Sequence, residues 1–537
     1  MLDRRHLEVC VFHYLALGLH SGDVYVEGSQ AYADYRQQLM PWSECGSRLA
    51  AYCQALQMPE SAASFVAHLQ ARLRAVTKRV DASFPDNTEL TIDAAGKPHL
   101  KRLKAQPPPE ALETLEALLK ERMPERHLLD VLKNVHHEIQ YTRHFGPPSG
   151  AAPKLPEAVS RYLFTIFGYA SELGATQTAR HTHNLIGWYT LRRLNAQHIT
   201  TQKLEAALRD GINAYTRFEL PFFWGSGHAA IADGTHVELI ENNLLGTRHI
   251  RYGRFGGIAY HHISDTYIAL FSHFIACGIW EAVYILDGLL KNTSALQPDP
   301  LHADTHGQSE PVFGLAVLLG IKLMPRMRTW NDVTLYRVDR STIYKHIERL
   351  LTQVVDWDLI EHYWQDMMPV VLSIQAGQVL PSMLLQELGV YSRRNNLYRA
   401  FSELGQVERT IFLLEYMSDT AVRQHIRAET TKVESYHQFT EWLAFGGPVL
   451  RSGDPVEQEK RITYRDLMAN VVMLQNVVDM TNVLHDLQRD GVHITPELLA
   501  RLSPYLNGHL KRFGHYVLDM ETPPEPLQPK PLFVTTL

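Results

Sequence analysis

The sequence predicts an α+β protein that is mostly helical, with one group of short strands between helical regions. Apolar residues recur every three or four positions over residues 157–219, which is typical of amphipathic helices. β-Branched and aromatic residues then appear in short runs between residues 227 and 263, which indicates strands. Beyond them, apolar runs of helical length alternate with runs of strand length, so helices and strands are expected to alternate there.

The composition is that of an ordinary globular protein. Of its 537 residues, 45% are hydrophobic and 20% are charged, and no apolar run approaches the ~20 residues that a membrane span needs. The four cysteines lack paired spacing, so we expect a reducing cytoplasm and neither a disulfide framework nor a cysteine metal site. The net charge of −6 is a mild argument against nucleic-acid binding, because phosphate contacts need clustered Lys and Arg.

The order of elements after residue 226 is the most informative part of the chain. The predicted elements are strands over residues 228–240, 247–255 and 256–265, a helix over 277–292, a strand over 300–305, a helix over 309–320 and a strand over 321–327. Ser309 and Pro311 are typical cap and first-turn residues for the second of these helices. The order β-β-β-α-β-α-β is that of ribonuclease H-like folds, in which parallel pairing after the first three strands requires crossover helices.

Two acids fall on strands that are neighbours in such a fold. Asp233 lies on the first strand and Asp304 lies at the end of the fourth. Two adjacent carboxylates repel each other unless a divalent cation lies between them, and oxygen ligands of this kind suit Mg²⁺. Each acid also has a structural interpretation, because Asp233 precedes a glycine as in many turns and Asp304 could cap a turn before Thr305.

Short blocks around these acids resemble a known protein family. Residues 232–234 match its strand around a first acid, and residues 303–327 match an Asp-Thr-x-Gly turn followed by an apolar helix and Pro-Arg. The matching positions in the second block are Asp304, Thr305, Gly307, Phe313, Leu319, Gly320, Pro325 and Arg326. The chain therefore resembles, from about residue 7 to residue 516, the Tn3 family of bacterial replicative transposases, whose ribonuclease H-like catalytic domain carries an Asp-Asp-Glu triad.

The same resemblance assigns the third acid to Glu434. The family usually has Asn where this chain has Thr431 and Gly where it has Val433, so the chain departs from the pattern beside the acid. The segment from residue 432 predicts an amphipathic helix whose core-facing residues are Val433, Tyr436, Phe439 and Leu443. Glu441 shares a flank of this helix with Glu434 and is the runner-up third acid.

The resemblance implies a chemistry and a set of partners. Asp233, Asp304 and Glu434 would be catalytic residues and metal ligands for two Mg²⁺ or Mn²⁺ ions, with Asp233 bridging both ions. The reaction would free 3′-OH groups at transposon ends and join them to target DNA. The protein would act as a homodimer in the bacterial cytoplasm, associated with the nucleoid and not with a membrane. Arg326 is a weaker candidate for a phosphate contact, since it could equally be a surface residue at a strand end.

The predicted organisation follows from these assignments. Its regions are a mainly helical N-terminal region that contacts DNA or links domains (1–105), a helical pre-catalytic region (106–226), the first part of a ribonuclease H-like core (227–330), a large helical insertion (331–428), a core helix with the third acid (429–450), a C-terminal helical region (451–520) and a mobile proline-rich tail (521–537). Family members carry several hundred further residues before this region, which recognise transposon ends. A truncated copy or a fragment is therefore expected, unless end recognition comes from elsewhere.

Two other functions stay open. The first is an inactive relic or a DNA-binding and dimerisation scaffold, which the residues beside Glu434 favour. The second is a ribonuclease H-like nuclease that cuts DNA without joining it.

Overall fold

The computed structural model describes residues 4–532 with short gaps. The positions outside the description are 22–23, 25, 28–38, 105–106, 183–184, 241–242, 244–245, 249–254, 277–280, 289–291, 293, 297–298, 329, 331–332, 383 and 386–395. The chain divides into two units. The first unit comprises residues 1–104, 280–291 and 299–430, and the second comprises residues 105–279, 292–298 and 431–537.

The described helices and strands have the following bounds. The helices are α1 (Arg4–Ser21), α2 (Trp42–Ala55), α3 (Ala62–Ser83), α4 (Glu110–Arg122), α5 (Leu128–Ile139), α6 (Ala158–Ala170), α7 (Gly174–His181), α8 (Trp188–Arg193), α9 (Thr201–Tyr215), α10 (Pro221–Trp224), α11 (Glu310–Leu318), α12 (Trp357–Gln375), α13 (Asn396–Ser418), α14 (Thr420–Leu443), α15 (Pro455–Arg489) and α16 (Pro496–Leu499). The strands are β1 (Leu90–Ile92), β2 (Pro98–Leu100), β3 (Arg126–His127), β4 (Ala230–Leu239), β5 (Thr247–Arg248), β6 (Phe255–Ser264), β7 (Ala269–Ala276), β8 (Leu301–Ala303), β9 (Leu323–Pro325), β10 (Leu335–Arg337), β11 (Leu351–Val354), β12 (Val449–Leu450) and β13 (Leu510–Lys511). The chain is thus α+β and mostly helical, as the sequence predicts.

The first unit is built on helices α3, α12 and α13, which pack against one another. Helix α11 lies along α13 and connects β8 to β9, which pair in parallel with Leu301 opposite Leu323. The predicted strand, helix and strand over residues 300–327 are therefore confirmed. Ser309 occupies the cap position of α11 and a proline lies in its first turn, although the Ser309 side chain makes no cap hydrogen bond.

The second unit contains an antiparallel meander of β4, β6 and β7. Ala230 of β4 lies opposite Ser264 of β6, and Gly257 of β6 lies opposite Ala276 of β7. The short strand β12 adds to β4 in parallel, and β5 pairs with the start of β6. Helix α15 packs against β7 and against α5, α6 and α9, so it forms the centre of this unit. It is long and apolar enough to cross a membrane, but 94% of its apolar window is buried inside the protein, as in a core helix.

The third strand of the meander differs from the prediction. The segment 247–255 contributes only β5 and the first residue of β6 among its described positions, since residues 249–254 lie outside the description. The third strand is β7, which the sequence analysis did not assign. The turn before it places Tyr267 at φ 77°, in the left-handed region where turn signals are usually Gly or Asn. Because a tyrosine occupies that position, the sequence does not indicate the turn or the strand that follows it.

Two further predictions are corrected. The segment 277–292, predicted as one helix, is a 3₁₀ helix at Glu281–Ile285, where Val283, Tyr284 and Ile285 are poor helix formers, and is α-helical at 287–288. Residues 277–280 and 289–291 of the predicted helix lie outside the described residues. The proline-rich tail was expected to be mobile, yet Leu527 and Leu532 are buried. The backbone N–H of Leu532 donates to Glu219 Oε2 at 2.7 Å, so the tail is packed against the second unit as far as residue 532.

Candidate catalytic site

Asp233 lies within β4, on a face of the sheet that it shares with two other polar residues. It is directly opposite His261 of β6, and His261 is directly opposite Ser272 of β7. Because opposite residues of an antiparallel ladder point to the same face, the three side chains lie in a row on one face of the meander. Asp233 is half-buried, and its Oδ1 accepts a hydrogen bond from the Gly234 N–H at 2.9 Å.

Helix α14 packs on this same face. The ring of His261 contacts the rings of Tyr436 and His437, with centroid distances of 5.3 and 5.4 Å. Glu434 precedes His437 by about one helical turn and is exposed. The second unit therefore brings the strand that carries Asp233 and the helical turn that carries Glu434 to one face of the sheet.

The predicted amphipathic character of this helix is confirmed. Val433, Tyr436, Phe439 and Leu443 are all buried, at 0–2% exposure. Lys432 is also buried, and its Nζ donates to the backbone oxygens of Trp224 and Asp265 at 2.9 and 2.8 Å. These contacts anchor the turn immediately before Glu434 and leave the glutamate on the outer side of the helix.

A buried acid, Asp466 of α15, links the strands to α14. Its Oδ1 accepts from Tyr436 OH at 2.6 Å and its Oδ2 accepts from Ser272 Oγ at 2.5 Å. His261 Nδ1 lies 3.3 Å from Oδ1, within ion-pair distance, although the ring N–H is not aligned for a hydrogen bond. Burial acts to raise the pKa of Asp466, but His261 and the hydroxyl donors outweigh it, and the pKa lies below its ordinary value. Asp466 is therefore a carboxylate that holds β6, β7 and α14 together.

Sequence reasoning missed Asp466, and it placed His437 on the same flank of the helix as Glu434 without giving it a role. The available signal was an acid in the middle of a long apolar helical run, at a position where only a paired charge is stable. The buried Nε2 of His437 has no hydrogen-bond partner among the described residues. Burial and the neighbouring His261 lower the pKa of His437 to about 3, so its imidazole is neutral at physiological pH.

Acidification is expected to destabilise the protein through His437. The folded state resists protonation of this ring, whereas the unfolded chain binds a proton below about pH 6.5. The contribution of His437 to stability is thus complete above that pH and is lost as pH falls towards the folded pKa of about 3, with a slope of at most about 1.4 kcal/mol per pH unit. Urea unfolding between about pH 7 and about pH 4 should give a shallower slope for His437→Gln than for the wild type. Parallel profiles would contradict the assignment.

Asp304 belongs to the first unit, where it follows β8. Its backbone oxygen accepts from the Gly307 N–H at 3.1 Å, which closes the turn into the 3₁₀ helix Thr305–Gln308 before α11. A Cβ on Gly307 would lie 2.8 Å from the Cβ of Ala303 and 3.0 Å from that of Pro325, so close packing requires glycine in this turn. The Arg326 N–H donates to the Ala303 oxygen at 2.8 Å, which places Arg326 at the same strand end as Asp304.

The three predicted acids are thus divided between the units, with Asp233 and Glu434 in the second and Asp304 in the first. Within neither unit do the described residues include a group of three or more His, Cys, Asp or Glu side chains arranged to hold a metal ion. The carboxylate oxygens of Asp233, Asp304 and Glu434 are nevertheless the type of ligand that Mg²⁺ and Mn²⁺ bind. Glu441, like Glu434, is exposed on α14, so exposure does not distinguish the two candidates for the third acid.

Comparison with known proteins adds information on relatives. A family model described as the Tn3 transposase DDE domain matches residues 130–516. The chain is 26% identical over 525 residues to the transposase for transposon gamma-delta of Escherichia coli (strain K12), an alignment that covers 97% of this chain and 52% of the relative. It is 26% identical to the transposase for transposon Tn1546 of Enterococcus faecium and 28% identical to that for transposon Tn501 of Pseudomonas aeruginosa, over 97% and 96% of this chain and 52% of each relative. The chain spans about half the length of these curated relatives.

Proposed function

This chain belongs to the Tn3 transposase DDE-domain family, and we propose that it cleaves DNA at transposon ends and joins the freed 3′-OH groups to target DNA in replicative transposition. The observation that carries the proposal is the extent of the family match. It covers residues 130–516, which include Asp233, Asp304 and Glu434.

The fold is consistent with a ribonuclease H-like core. The meander of β4, β6 and β7 in the second unit, and the parallel pair β8 and β9 joined by α11 in the first, supply the strand types that such a core contains. We infer that these elements form the catalytic core and that the helices between β9 and α14 are an insertion in it.

We assign Asp233, Asp304 and Glu434 to hold two Mg²⁺ or Mn²⁺ ions. Bound in this way, such ions lower the pKa of a nucleophilic hydroxyl and neutralise charge on the leaving oxygen. The backbone N–H of Gly234 orients the Asp233 carboxylate, and Lys432 and Val433 fix the turn before Glu434. Arg326, at the same strand end as Asp304, would contact a phosphate. The DNA partners would be transposon ends and target DNA, with the protein acting as a homodimer in the bacterial cytoplasm.

The test is an assay that separates cutting from joining. The chain is incubated with Mg²⁺, supercoiled plasmid and either intact or precut duplex ends of its own element. Cleavage of intact ends and joining of precut ends, both abolished by EDTA, are expected. Cleavage without joining would favour the nuclease alternative, and neither activity would favour the inactive scaffold.

The scaffold alternative rests on Thr431 and Val433, and the structure separates their effects. Thr431 is exposed, so Thr431→Asn should fold normally and raise metal-dependent joining severalfold if the chain is a weakened enzyme. Val433 is fully buried within a helix, so Val433→Gly should lower the free energy of unfolding by about 3 kcal/mol. Joining rates and thermal unfolding of both variants measure these effects. A Thr431→Asn variant that stays as inactive as the parent would support the scaffold.

A further inference from the structure

Helix α8 carries two exposed aromatic residues on a firmly anchored segment. Trp188 is 50% exposed and Tyr189 is 67% exposed, and their rings are nearly perpendicular with centroids 5.9 Å apart. Ile186, Leu191 and Leu194 of the same segment are buried, and α8 continues directly into a π-helix at Leu194–His198. Single exposed rings are common on protein surfaces, but two large rings side by side form an apolar patch of the kind that marks a binding site.

Each ring has an arginine one helical turn away. Arg192 follows Trp188 by four positions and Arg193 follows Tyr189 by four, and both arginines are exposed. Side chains spaced by four lie on the same helix face, so each arginine projects from the same face as the ring four positions before it. Arg193 Nε donates to Gln197 Oε1 at 3.2 Å, which orients that guanidinium along the helix.

The surrounding segment is free of acidic residues. No Asp or Glu occurs between Glu172 and Glu205, whereas Arg180, Arg192, Arg193 and Lys203 lie in that interval. This stretch is strongly basic in a chain whose net charge is −6. The segment itself therefore carries only positive charge, which favours a polyanion, and an acid that contacts it is Glu457 of α15, which accepts from Asn195 Nδ2 at 2.8 Å.

We propose that this aromatic–arginine platform, formed by Trp188, Tyr189, Arg192 and Arg193, binds unstacked nucleotides of a single DNA strand. The rings would stack on bases and the guanidiniums would contact phosphates, which is how proteins bind single strands without sequence preference. A base-paired duplex exposes base edges and keeps its base faces stacked. Its phosphates could contact the arginines, but its bases could not stack on the rings. The proposal deepens the proposed function, on which it rests, because cutting and joining create single-stranded DNA beside the reacting ends.

The test compares single-stranded and duplex DNA by fluorescence anisotropy. A labelled thymidine oligonucleotide of about 20 nucleotides is the single-strand probe, and a duplex of equal length is the second. Trp188→Ala and Tyr189→Ala should each weaken single-strand binding roughly 5- to 100-fold and leave duplex binding within about twofold. Trp188→Phe, the matched control, should retain most of the affinity. Arg192→Gln should weaken both and reduce the salt dependence of single-strand binding by about 0.7 in log–log slope.

The outcomes are separable from those of the proposed function. Equal losses on both DNA forms, or none on either, would overturn the platform. A shift in oligomeric state by Trp188→Ala without any change in DNA affinity would also overturn it, because the surface would then contact a second copy of the chain. If the platform fails while Mg²⁺-dependent joining is present, the proposed function stands. If Trp188→Ala loses single-strand affinity but the parent joins no DNA, only the catalytic proposal fails.

Discussion

Replacing Asp233 with asparagine is expected to lower DNA cleavage and joining by at least about a thousandfold, with DNA affinity and fold unchanged. Asparagine has the size of aspartate and can still accept the Gly234 hydrogen bond, but it lacks the negative charge that a divalent cation requires. Cleavage and joining rates at saturating Mg²⁺, with thermal unfolding as the fold control, measure the effect. The same loss is expected for Asp304→Asn and Glu434→Gln.

Glu441→Gln is the matched control for the third acid. Both glutamates are exposed on α14, so neither substitution should affect folding. If Glu434 is the third acid, Glu441→Gln should remain within about twofold of the parent rate, since its carboxylate would lie outside the metal site. An active Glu434→Gln together with an inactive Glu441→Gln would show that the third acid was assigned wrongly. An Asp233→Asn variant that still joined DNA would refute the triad.

The elements with local signals could be predicted from the sequence. Helix α11 has a serine and a proline at its start and an apolar run of helical length, and the turn before it needs glycine at position 307 because two side chains pack against it. The core face of α14 follows directly from the spacing of its apolar residues. In each case, the signal that predicts the helix lies within the segment itself, whereas the contact of Gly307 with Pro325 comes from the next strand.

The parts that sequence reasoning missed depend on distant contacts. Strand β7 begins after a turn whose left-handed residue is Tyr267, so no Gly or Asn marks it. Asp466 is an anionic anchor only because Ser272, His261 and Tyr436 converge on it from three other elements. The leucines of the tail are likewise buried only because they pack on a surface formed by residues distant in sequence. Composition and periodicity do not predict contacts between residues that are distant in sequence.

Replacing Gly405 with alanine is expected to destabilise the first unit by about 3 kcal/mol or more. A Cβ on Gly405 would lie 1.7 Å from the Glu310 backbone oxygen, and one on Gly314 would lie 2.0 Å from the Phe401 oxygen. The backbones of α11 and α13 therefore touch at these two glycines, and either side chain would force the helices apart. Since α11 directly follows the turn after Asp304, the shift should also lower DNA joining. Thermal unfolding and joining rates of Gly405→Ala measure both effects.

The matched control is Gly46→Ala, the same substitution inside helix α2 of the same unit. Among the described residues, no atom outside the backbone of α2 itself lies within 4 Å of a Cβ at that position, so alanine should be neutral or stabilise by up to about 1 kcal/mol through helix propensity. The two glycines thus have opposite expected effects for one physical reason, the presence or absence of a neighbouring backbone. If Gly405→Ala raised the melting temperature as Gly46→Ala is expected to do, α11 and α13 could not be in backbone contact there, and the close packing of α11 on α13 would have to be abandoned.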